Sequence, residues 1–514
     1  MSGPDRTLLR PVLLVWLLAA AVTTAPYVRA ELSPPPGTRF LGFFFFVDDA
    51  YNYLSYVQQA EDGAFVFVNK LAAERHAPAL VNLEWWSVGA LSGLLGRHPA
   101  AAYRIFGAAA GLGLLWMAGR WLRALGLPDT HLLPALALIA FGGGLGGARY
   151  RLLGAPPVDC PDLATGLFPF IEMLANPHFV AGTALFLAAL LSFMNARRGR
   201  DHARSAVLGT ALGLVRPYDL ALLVAARAGG VFFSSPPSAW LRALLPLASL
   251  LPVVLYDAWV FYGVPAFAFL GRAPYVSPGP GAMASALLPA LSLALPAATR
   301  RGAGIASGAR AHFAAWACLA LAVLALRPVH FSLQFAVGLG LPLLAFGALS
   351  LSRFRPAVTL AAAALLSSTA VAALFLVLSP NPRWHVPKAR LDIALALRGH
   401  CAPGQVLLSP PDIGLYAAGL TACKAYVSHA VVPDFAERDA TVRSFYASWS
   451  PEQRRSFLDR AGVDLVALPG IAAEAPERWL VPLPPFTRVA QAGEGAAAIC
   501  VYGRSALLRR PEAP

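Results

Sequence analysis

The stretch FFFFVDDAYNY, residues 43–53, places two adjacent carboxylates, Asp48 and Asp49, directly behind an aromatic run. An apolar segment long enough to cross a bilayer, Leu8 to Tyr27, precedes it. Two ionised side chains beside lipid are costly unless water, a metal or a substrate compensates their charge, so the pair indicates a functional site. The alternative is that either aspartate caps the helix that follows, since Asp is a favoured N-cap residue.

The composition of the whole chain is that of a multi-pass membrane protein. Of its 514 residues 57% are hydrophobic and only 13% are charged, the mean hydropathy is +0.58, and the apolar residues come in long blocks. We therefore predict a mainly α fold with about eleven transmembrane helices and a juxtamembrane helix at Ala79 to Gly96. The spans are Leu8–Tyr27, Ala101–Gly119, Leu132–Gly147, His178–Asn195, Ser205–Tyr218, Asp219–Phe233, Leu241–Tyr262, Ala284–Ala297, Ala311–Leu326, Phe331–Ser350 and Ala357–Ser379.

The net charge of +14 reflects membrane topology and not nucleic-acid binding, because the arginines lie in short loops between spans. The positive-inside rule then puts the N-terminus in the cytoplasm, with the first helix retained instead of cleaved as a signal. The first loop, residues 28–97, and everything after residue 380 fall outside. Basic residues are nearly all Arg, and Ala, Leu, Gly and Pro are abundant, which indicates a bacterial cytoplasmic membrane as the location.

The tail changes character after the last span. Strand-like and helix-like segments alternate in it, which predicts a small extracytoplasmic α/β domain at 383–514 behind a transmembrane domain at 1–380. It has no glycine-rich phosphate fingerprint, so we expect no nucleotide. Cys401 and Cys423 could form a disulfide if this tail is exported, and two unpaired small hydrophobic residues are the alternative.

Polar side chains follow the paired aspartates. If the chain is helical from Asp49, then Tyr53 and Tyr56 share its face and Gln59 follows one turn later, which suits hydrogen bonding to a polyol. Glu74 and His76 come next in the same loop and could share a divalent metal, although two ligands are few. The alternative for them is a solvated loop beside an aromatic belt.

Two further groups of polar residues interrupt apolar segments. Asn176 and His178 begin a span, and Arg216 and Asp219 lie where two short apolar stretches meet. A substrate-binding role for this Arg and Asp competes evenly with a simple neutralising pair.

Arg327 and His330 lie at the outer end of another span. There a guanidinium can grip the oxygens of a lipid-linked phosphate, with snorkelling to the interface as the alternative.

The opening of the first loop at Asp48, the interfacial segment Pro78 to Gly96, and the stretch Arg327 to Pro342 resemble the GT-C-type membrane glycosyltransferases, which include protein O-mannosyltransferases and lipid A aminoarabinose transferases. Asn176–Phe179 and Arg216–Asp219 are similar to those of a bacterial subgroup of multi-pass proteins related to them. The resemblance implies that Asp48 is the catalytic carboxylate and Asp49 its acidic neighbour. It also implies a polyprenyl-phosphate sugar as donor, and Arg327 as a phosphate ligand.

The resulting hypothesis is a glycosyl transfer on the extracytoplasmic face of the membrane, from a polyprenyl-phosphate sugar to an acceptor whose identity stays open. The phosphate ligands would be Arg327, His330 and Arg216, and an aspartate would receive the acceptor proton. The rival hypothesis is a transporter or flippase of a lipid-linked or polar substrate, with Arg216 and Asp219 on broken helices as its site.

Overall fold

The computed structural model describes residues 3–71, 73–164, 166–270, 278–299, 305–327, 331–430, 432, 434–470 and 486–504. Within these ranges the chain divides into two compact units. Unit 1 consists of residues 1–28, 103–259 and 272–379, and unit 2 of residues 29–102, 260–271 and 380–514. Unit 2 therefore combines the first loop of the chain with its tail.

The chain is mostly helical. The described α-helices are α1 (Gly3–Leu32), α2 (Val47–Glu61), α3 (Leu83–Leu94), α4 (Pro99–Ala124), α5 (Leu132–Phe141), α6 (Gly146–Leu153), α7 (Pro161–Ala164), α8 (Pro169–Ala175), α9 (Pro177–Asn195), α10 (Gly199–Gly213), α11 (Pro217–Ser234), α12 (Pro237–Leu244), α13 (Leu251–Ala258), α14 (Pro265–Ala268), α15 (Pro280–Ala298), α16 (Ile305–Leu326), α17 (Gly340–Leu351), α18 (Pro356–Leu366), α19 (Ser368–Leu378), α20 (Lys388–Ala396), α21 (Pro411–Leu420), α22 (Phe435–Ala447) and α23 (Pro451–Arg460). The strands are β1 (Thr38–Phe40), β2 (His385–Pro387), β3 (Val406–Leu408), β4 (Lys424–Ala425), β5 (Leu465–Pro469), β6 (Phe486–Ala492) and β7 (Ile499–Arg504).

In the part of the chain that the structure describes, eight helical stretches are long and apolar enough to cross a membrane. A ninth crossing results if the bent pair Asp129–Phe141 and Gly146–Leu153, which meet at 52°, is one broken span. The eight are Arg6–Leu32, Pro99–Ala124, Pro177–Asn195, Pro237–Gly263, Pro280–Ala298, Gly308–Leu326, Ser332–Leu351 and Pro356–Leu378. Each of the nine overlaps a span predicted from the sequence, so the multi-pass class is confirmed.

The count of eleven spans is not confirmed, and the difference lies in two predicted segments. They form α10 and α11, which are 15 and 18 residues long. α10 is too short for an upright crossing, and α11 carries Asp219 and Arg227, which make it less apolar than the other spans.

The core of unit 1 is built from pairs of apolar helices. α11 packs on α16, α15 on α17, α9 on α10, and α5 on α18. Large aromatic side chains fill the space between them, and Trp121 stacks on Phe313 with 4.4 Å between ring centroids. Trp121 is fully buried and donates a hydrogen bond from Nε1 to the carbonyl of Leu187 at 2.9 Å. Its polar atom is thus satisfied inside an apolar core.

Unit 2 contains a five-stranded sheet in the order β4-β3-β5-β7-β6. β3 is parallel to β4 and β5, and β7 is antiparallel to β5 and β6. Helices α21 and α23 connect its strands, and α23 begins at a capping box formed by Ser450 and Gln453. This confirms the small α/β region predicted for the tail. The strand-like segments predicted from the sequence, residues 404–409, 463–468 and 496–502, correspond to β3, β5 and β7, whereas β4 and β6 were not predicted.

A short ladder within unit 2 fixes the start of the first loop. β1 pairs antiparallel with β2, with Phe40 opposite His385. The amide of Leu41 then donates to the carbonyl of Trp384 at 2.9 Å, and Phe44 packs edge-on against the Trp384 ring. These contacts anchor the aromatic run that leads directly into α2, and α2 packs against α3 and α21.

Candidate functional site

The two aspartates lie in the first turn of α2. The helix begins at Val47, and its N-cap position is occupied by Phe46 in a left-handed conformation with φ 37° and no capping side chain. Neither Asp48 nor Asp49 is therefore the N-cap, so the capping alternative is wrong. Both carboxylates still benefit from the partial positive charge at the helix N-terminus.

The carboxylates of the pair are accessible to solvent. Asp48 is exposed, and the side chain of Asp49 retains 45% of its accessible surface. The surrounding protein nevertheless removes enough water from Asp48 to raise the pKa of its carboxyl above the ordinary value. The positive charge available on His429 lowers this pKa, and the charge of Asp49 raises it. A carboxylate in this position is open to a substrate and more basic than a fully solvated one.

His429 is the residue at this site that the sequence prediction missed. It is 6% exposed, and its Nε2 lies 3.5 Å from Oδ1 of Asp49. It follows β4 in the C-terminal tail, whereas Asp49 belongs to the first loop. The sequence carries no local signal for this contact, because the two residues are far apart along the chain and meet through the packing of unit 2.

The polar residues predicted beside Asp49 take different positions. Tyr53 is half-buried and stacks on Trp85 at 4.4 Å between centroids. Tyr56 is buried, and Gln59 donates to the carbonyls of Ser55 and Val68 at 2.9 and 3.0 Å. Gln59 thus fastens the following loop to α2, and a substrate-binding role for these three side chains remains a prediction.

Glu74 and His76 do not converge with other metal ligands. The Glu74 carboxylate pairs with Arg438, which with the other nearby charges holds its pKa below the ordinary value despite partial burial. The His76 ring lies 3.0 Å from the carbonyl of Ala77 and 3.2 Å from that of Asn69. Across the described residues no group of three or more His, Cys, Asp and Glu side chains could hold a metal ion.

In unit 1 the predicted pair is present as an ion pair. Arg216 Nε lies 3.0 Å from Oδ2 of Asp219, and the two side chains are 1% and 7% exposed. The Arg216 guanidinium also lies over the ring of Phe179 at 4.8 Å, and it donates to the carbonyl of Gln334 at 3.4 Å. Arg216 and Asp219 thus have the geometry of a pair that neutralises its own charge. A substrate-binding role for them remains a prediction.

The residues at the start of α9 lie close to this ion pair. Asn176 is buried, and its Oδ1 accepts a hydrogen bond from the Tyr103 hydroxyl at 3.1 Å. The same hydroxyl accepts from the backbone amide of His178 at 3.4 Å. His178 packs beside Phe179, and the Arg216 guanidinium lies over the Phe179 ring. The structure thus gathers Asn176, His178, Arg216 and Asp219 in one region of unit 1, and their role in substrate binding remains a prediction.

Two residues of this cluster escaped the sequence prediction. Glu172 is fully buried, and its Oε2 accepts from the Thr183 hydroxyl at 3.4 Å. An acid inside the apolar stretch 167–175 was the available signal. Gly182 provides space for the arginine, because a Cβ there would lie 2.2 Å from Cδ of Arg216.

Arg327 ends α16. Its backbone adopts a left-handed conformation with φ 50°, and its exposed guanidinium donates to the carbonyl of Pro278 at 2.9 Å. His330 lies outside the described residues. The guanidinium is accessible to solvent, and binding of a donor phosphate by it remains a prediction.

A polar cavity of about 430 Å³ opens in unit 2. Its lining combines the Tyr426 ring with both signs of charge, and a volume of this size holds a small ligand. It is lined by Ala73, Glu74, Tyr426, Asp434, Glu437, Arg438, Thr441, Arg460 and Ala461.

No protein-family model matches the chain, and no curated protein matches its sequence. Solved membrane glycosyltransferases, however, share its fold. The arabinofuranosyltransferase AftD from Mycobacteria superposes with a TM-score of 0.55 at 18% identity, over 95% of this chain and 40% of AftD. The present chain thus spans less than half the length of AftD.

Two further solved glycosyltransferases have a similar fold. ArnT from Cupriavidus metallidurans, solved bound to undecaprenyl phosphate, has a TM-score of 0.53 at 14% identity over the full length of both chains. The archaeal oligosaccharyltransferase AglB from Archaeoglobus fulgidus, solved with an inhibitory peptide and a dolichol-phosphate, has 0.50 at 12% identity over 98% of this chain and 75% of AglB. All three are GT-C glycosyltransferases, so the predicted resemblance is confirmed at the level of the fold.

Proposed function

We propose that the protein is a membrane glycosyltransferase that moves a sugar from a polyprenyl-phosphate donor to an acceptor on the extracytoplasmic face. The observation that carries this proposal is the exposed pair Asp48 and Asp49 in the first turn of α2, in a chain with a GT-C fold. A carboxylate with a raised pKa that is open to solvent suits a general base. The fold shared with glycosyltransferases favours this function over the transporter hypothesis.

The chemistry is a single inverting displacement at the anomeric carbon. Asp48 or Asp49 accepts the proton of the acceptor hydroxyl while its oxygen forms the new bond to that carbon. The bond from carbon to the phosphate oxygen breaks, and its electron pair leaves on the phosphate. Arg327, with His330 and Arg216, stabilises the charge that develops on the leaving group.

The lipid-linked donor is supported by the neighbours. ArnT and AglB were solved with undecaprenyl phosphate and dolichol-phosphate. The same class of ligand, a polyprenyl phosphate, fits an exposed guanidinium at the end of an apolar helix, as at Arg327. A divalent metal at Glu74 and His76 would need further ligands from its substrate, and the mechanism proposed here uses none.

The topology that we propose puts the N-terminus in the cytoplasm of a bacterial cell and adds α10 and α11 to the nine apolar spans, which gives eleven crossings. Residues 28–97 and 383–514 are then extracytoplasmic. The disulfide between Cys401 and Cys423 supports this side, because such bonds persist in oxidising compartments.

We further propose that the acceptor binds in the polar cavity of unit 2. Tyr426 can stack on the apolar face of a sugar ring, and the carboxylates of Asp434 and Glu437 can accept hydrogen bonds from its hydroxyls.

The test is a transfer assay with the purified full-length protein in lipid nanodiscs, supplied with radiolabelled polyprenyl-phosphate sugars and a membrane extract as acceptor source. We expect label to move from the lipid fraction to a second product, and Arg327→Ala to reduce the rate at least about 10-fold, with Arg353→Ala as a matched arginine control. Absence of transfer from every polyprenyl-phosphate sugar would refute the proposed donor class.

A further inference from the structure

His429 reaches the paired aspartates from the C-terminal tail. Its Nε2 lies 3.5 Å from Oδ1 of Asp49, and the ring is almost fully buried whereas the carboxylate is half exposed. Its charge also acts on Asp48, whose carboxyl pKa it lowers. A buried histidine that faces two adjacent carboxylates is placed to control how much negative charge they carry.

The segment that carries His429 is fixed at several points. β4 is an edge strand of the sheet, and the amide of Ala425 donates to the carbonyl of Lys70 at 2.9 Å. The Ser428 hydroxyl lies 3.5 Å from the carbonyl of Leu71, and the amide of Val432 donates to the carbonyl of His429 at 3.0 Å. The imidazole is therefore held against α2 by its own backbone.

We propose that His429 is a positioning residue for the glycosyl transfer: its imidazolium fixes the Asp49 carboxylate and offsets one of the two adjacent negative charges, which leaves Asp48 ionised to accept the acceptor proton. This inference rests on the proposed transferase function and adds to it a part for the C-terminal tail. Two neighbouring carboxylates repel each other, so without a nearby cation one of them takes up a proton more readily and is lost as a base.

Four other titratable groups of the described residues on or near α2 are neutral or engaged with other partners. Burial raises the pKa of the Tyr51 and Tyr416 hydroxyls, so both remain neutral around pH 7. Asp412, on the same helix as Tyr416, is paired with Arg390. Lys70 also titrates near neutrality, since burial lowers its pKa to about 7, but its ammonium is hydrogen-bonded to Gln58 and Thr421.

The first test is the pH profile of transfer by the full-length protein. We expect His429→Gln to lower kcat about 10-fold or more at pH 6 and to move the acid limb of the profile to higher pH, because the charge on His429 lowers the pKa of the Asp48 carboxyl. His429→Lys retains a positive charge and should restore the position of that limb. The matched control is His385→Gln. His385 is a second buried histidine of unit 2, and its ring centroid lies 5.5 Å from that of Phe40.

The second test does not depend on catalysis, and it separates failure of this inference from failure of the transferase proposal. Carbodiimides modify protonated carboxyl groups, so labelling of Asp48 and Asp49 measured by mass spectrometry at pH 6 reports their protonation. We expect several-fold more labelling in His429→Gln than in the wild type, with His385→Gln unchanged. Equal labelling in all three proteins, or an unshifted acid limb in a folded His429→Gln enzyme, would overturn the inference.

Discussion

The ammonium of Lys70 donates a hydrogen bond to the carbonyl of Thr421, with 2.6 Å between Nζ and the oxygen. The two residues are 351 positions apart. Thr421 stands two residues before Cys423, which forms a disulfide with Cys401. A buried polar contact thus joins the first loop to the tail inside unit 2, which also contains Asp48, Asp49 and His429.

Lys70 makes the stability of this unit depend on pH. Burial lowers its pKa from 10.5 to about 7 in the folded state. Between these values the unfolded chain binds a proton that the folded chain does not, so stability falls as the pH is lowered from 10 to 7. We expect the unfolding temperature of the wild type to rise more between pH 7 and 9.5 than that of Lys70→Met. The exposed Lys388→Met is the matched control, and an identical pH dependence in wild type and Lys70→Met would contradict the assignment.

The disulfide gives a prediction for stability and for cellular location. Closing a loop with a sequence separation of 22 residues stabilises the folded state by about 3 kcal/mol in the chain-entropy model. We expect Cys401→Ser with Cys423→Ser to lower the free energy of unfolding by roughly this amount. Reductant should do the same to the wild type but not to the double variant. The exposed Cys318→Ser serves as control, and a wild type insensitive to reductant would show that the bridge does not form in the cell.

The sequence predicts the parts of this protein that depend on local pattern. Apolar blocks identify nine of the spans, and the alternation of short strands and helices identifies the tail domain. It does not predict contacts made between distant segments. β1 and β2 have three residues each and form only by pairing with one another, and the contact of His429 with Asp49 arises from folding of the loop against the tail. Glu172 carried a signal in the sequence, an acid within an apolar stretch, but a single acid does not reveal its partners.

Gly182 is expected to be essential to the geometry of Arg216. A Cβ at this position would lie 2.2 Å from Cδ of the arginine, so Gly182→Ala must displace the buried guanidinium. We expect a loss of about 1–3 kcal/mol in stability, as for other overpacked sites. Gly113→Ala is the control, since a Cβ at Gly113 meets no atom within 4 Å. Thermal unfolding followed by tryptophan fluorescence measures both, and equal unfolding temperatures would contradict the overpacking.

The ion pair of Arg216 and Asp219 allows its structural and functional roles to be separated. Asp219→Asn leaves a buried guanidinium without its partner carboxylate, which costs about 3–5 kcal/mol. The double variant Arg216→Met with Asp219→Leu removes both charges and should recover most of that loss. If the pair only neutralises itself, the double variant retains transfer activity. If Arg216 binds the donor phosphate, as proposed, the double variant is stable and inactive.

The central claim is that the aspartates at the start of α2 perform the chemistry of transfer. The most direct measurement compares kcat for sugar transfer from a polyprenyl-phosphate donor by the wild type, Asp48→Asn, Asp49→Asn and the control Asp439→Asn, whose carboxylate pairs with Arg443 on α22. Our account predicts a loss of about 100-fold or more in at least one of the first two variants, with folding and lipid binding retained and Asp439→Asn unaffected. Wild-type turnover in both Asp48→Asn and Asp49→Asn would contradict it.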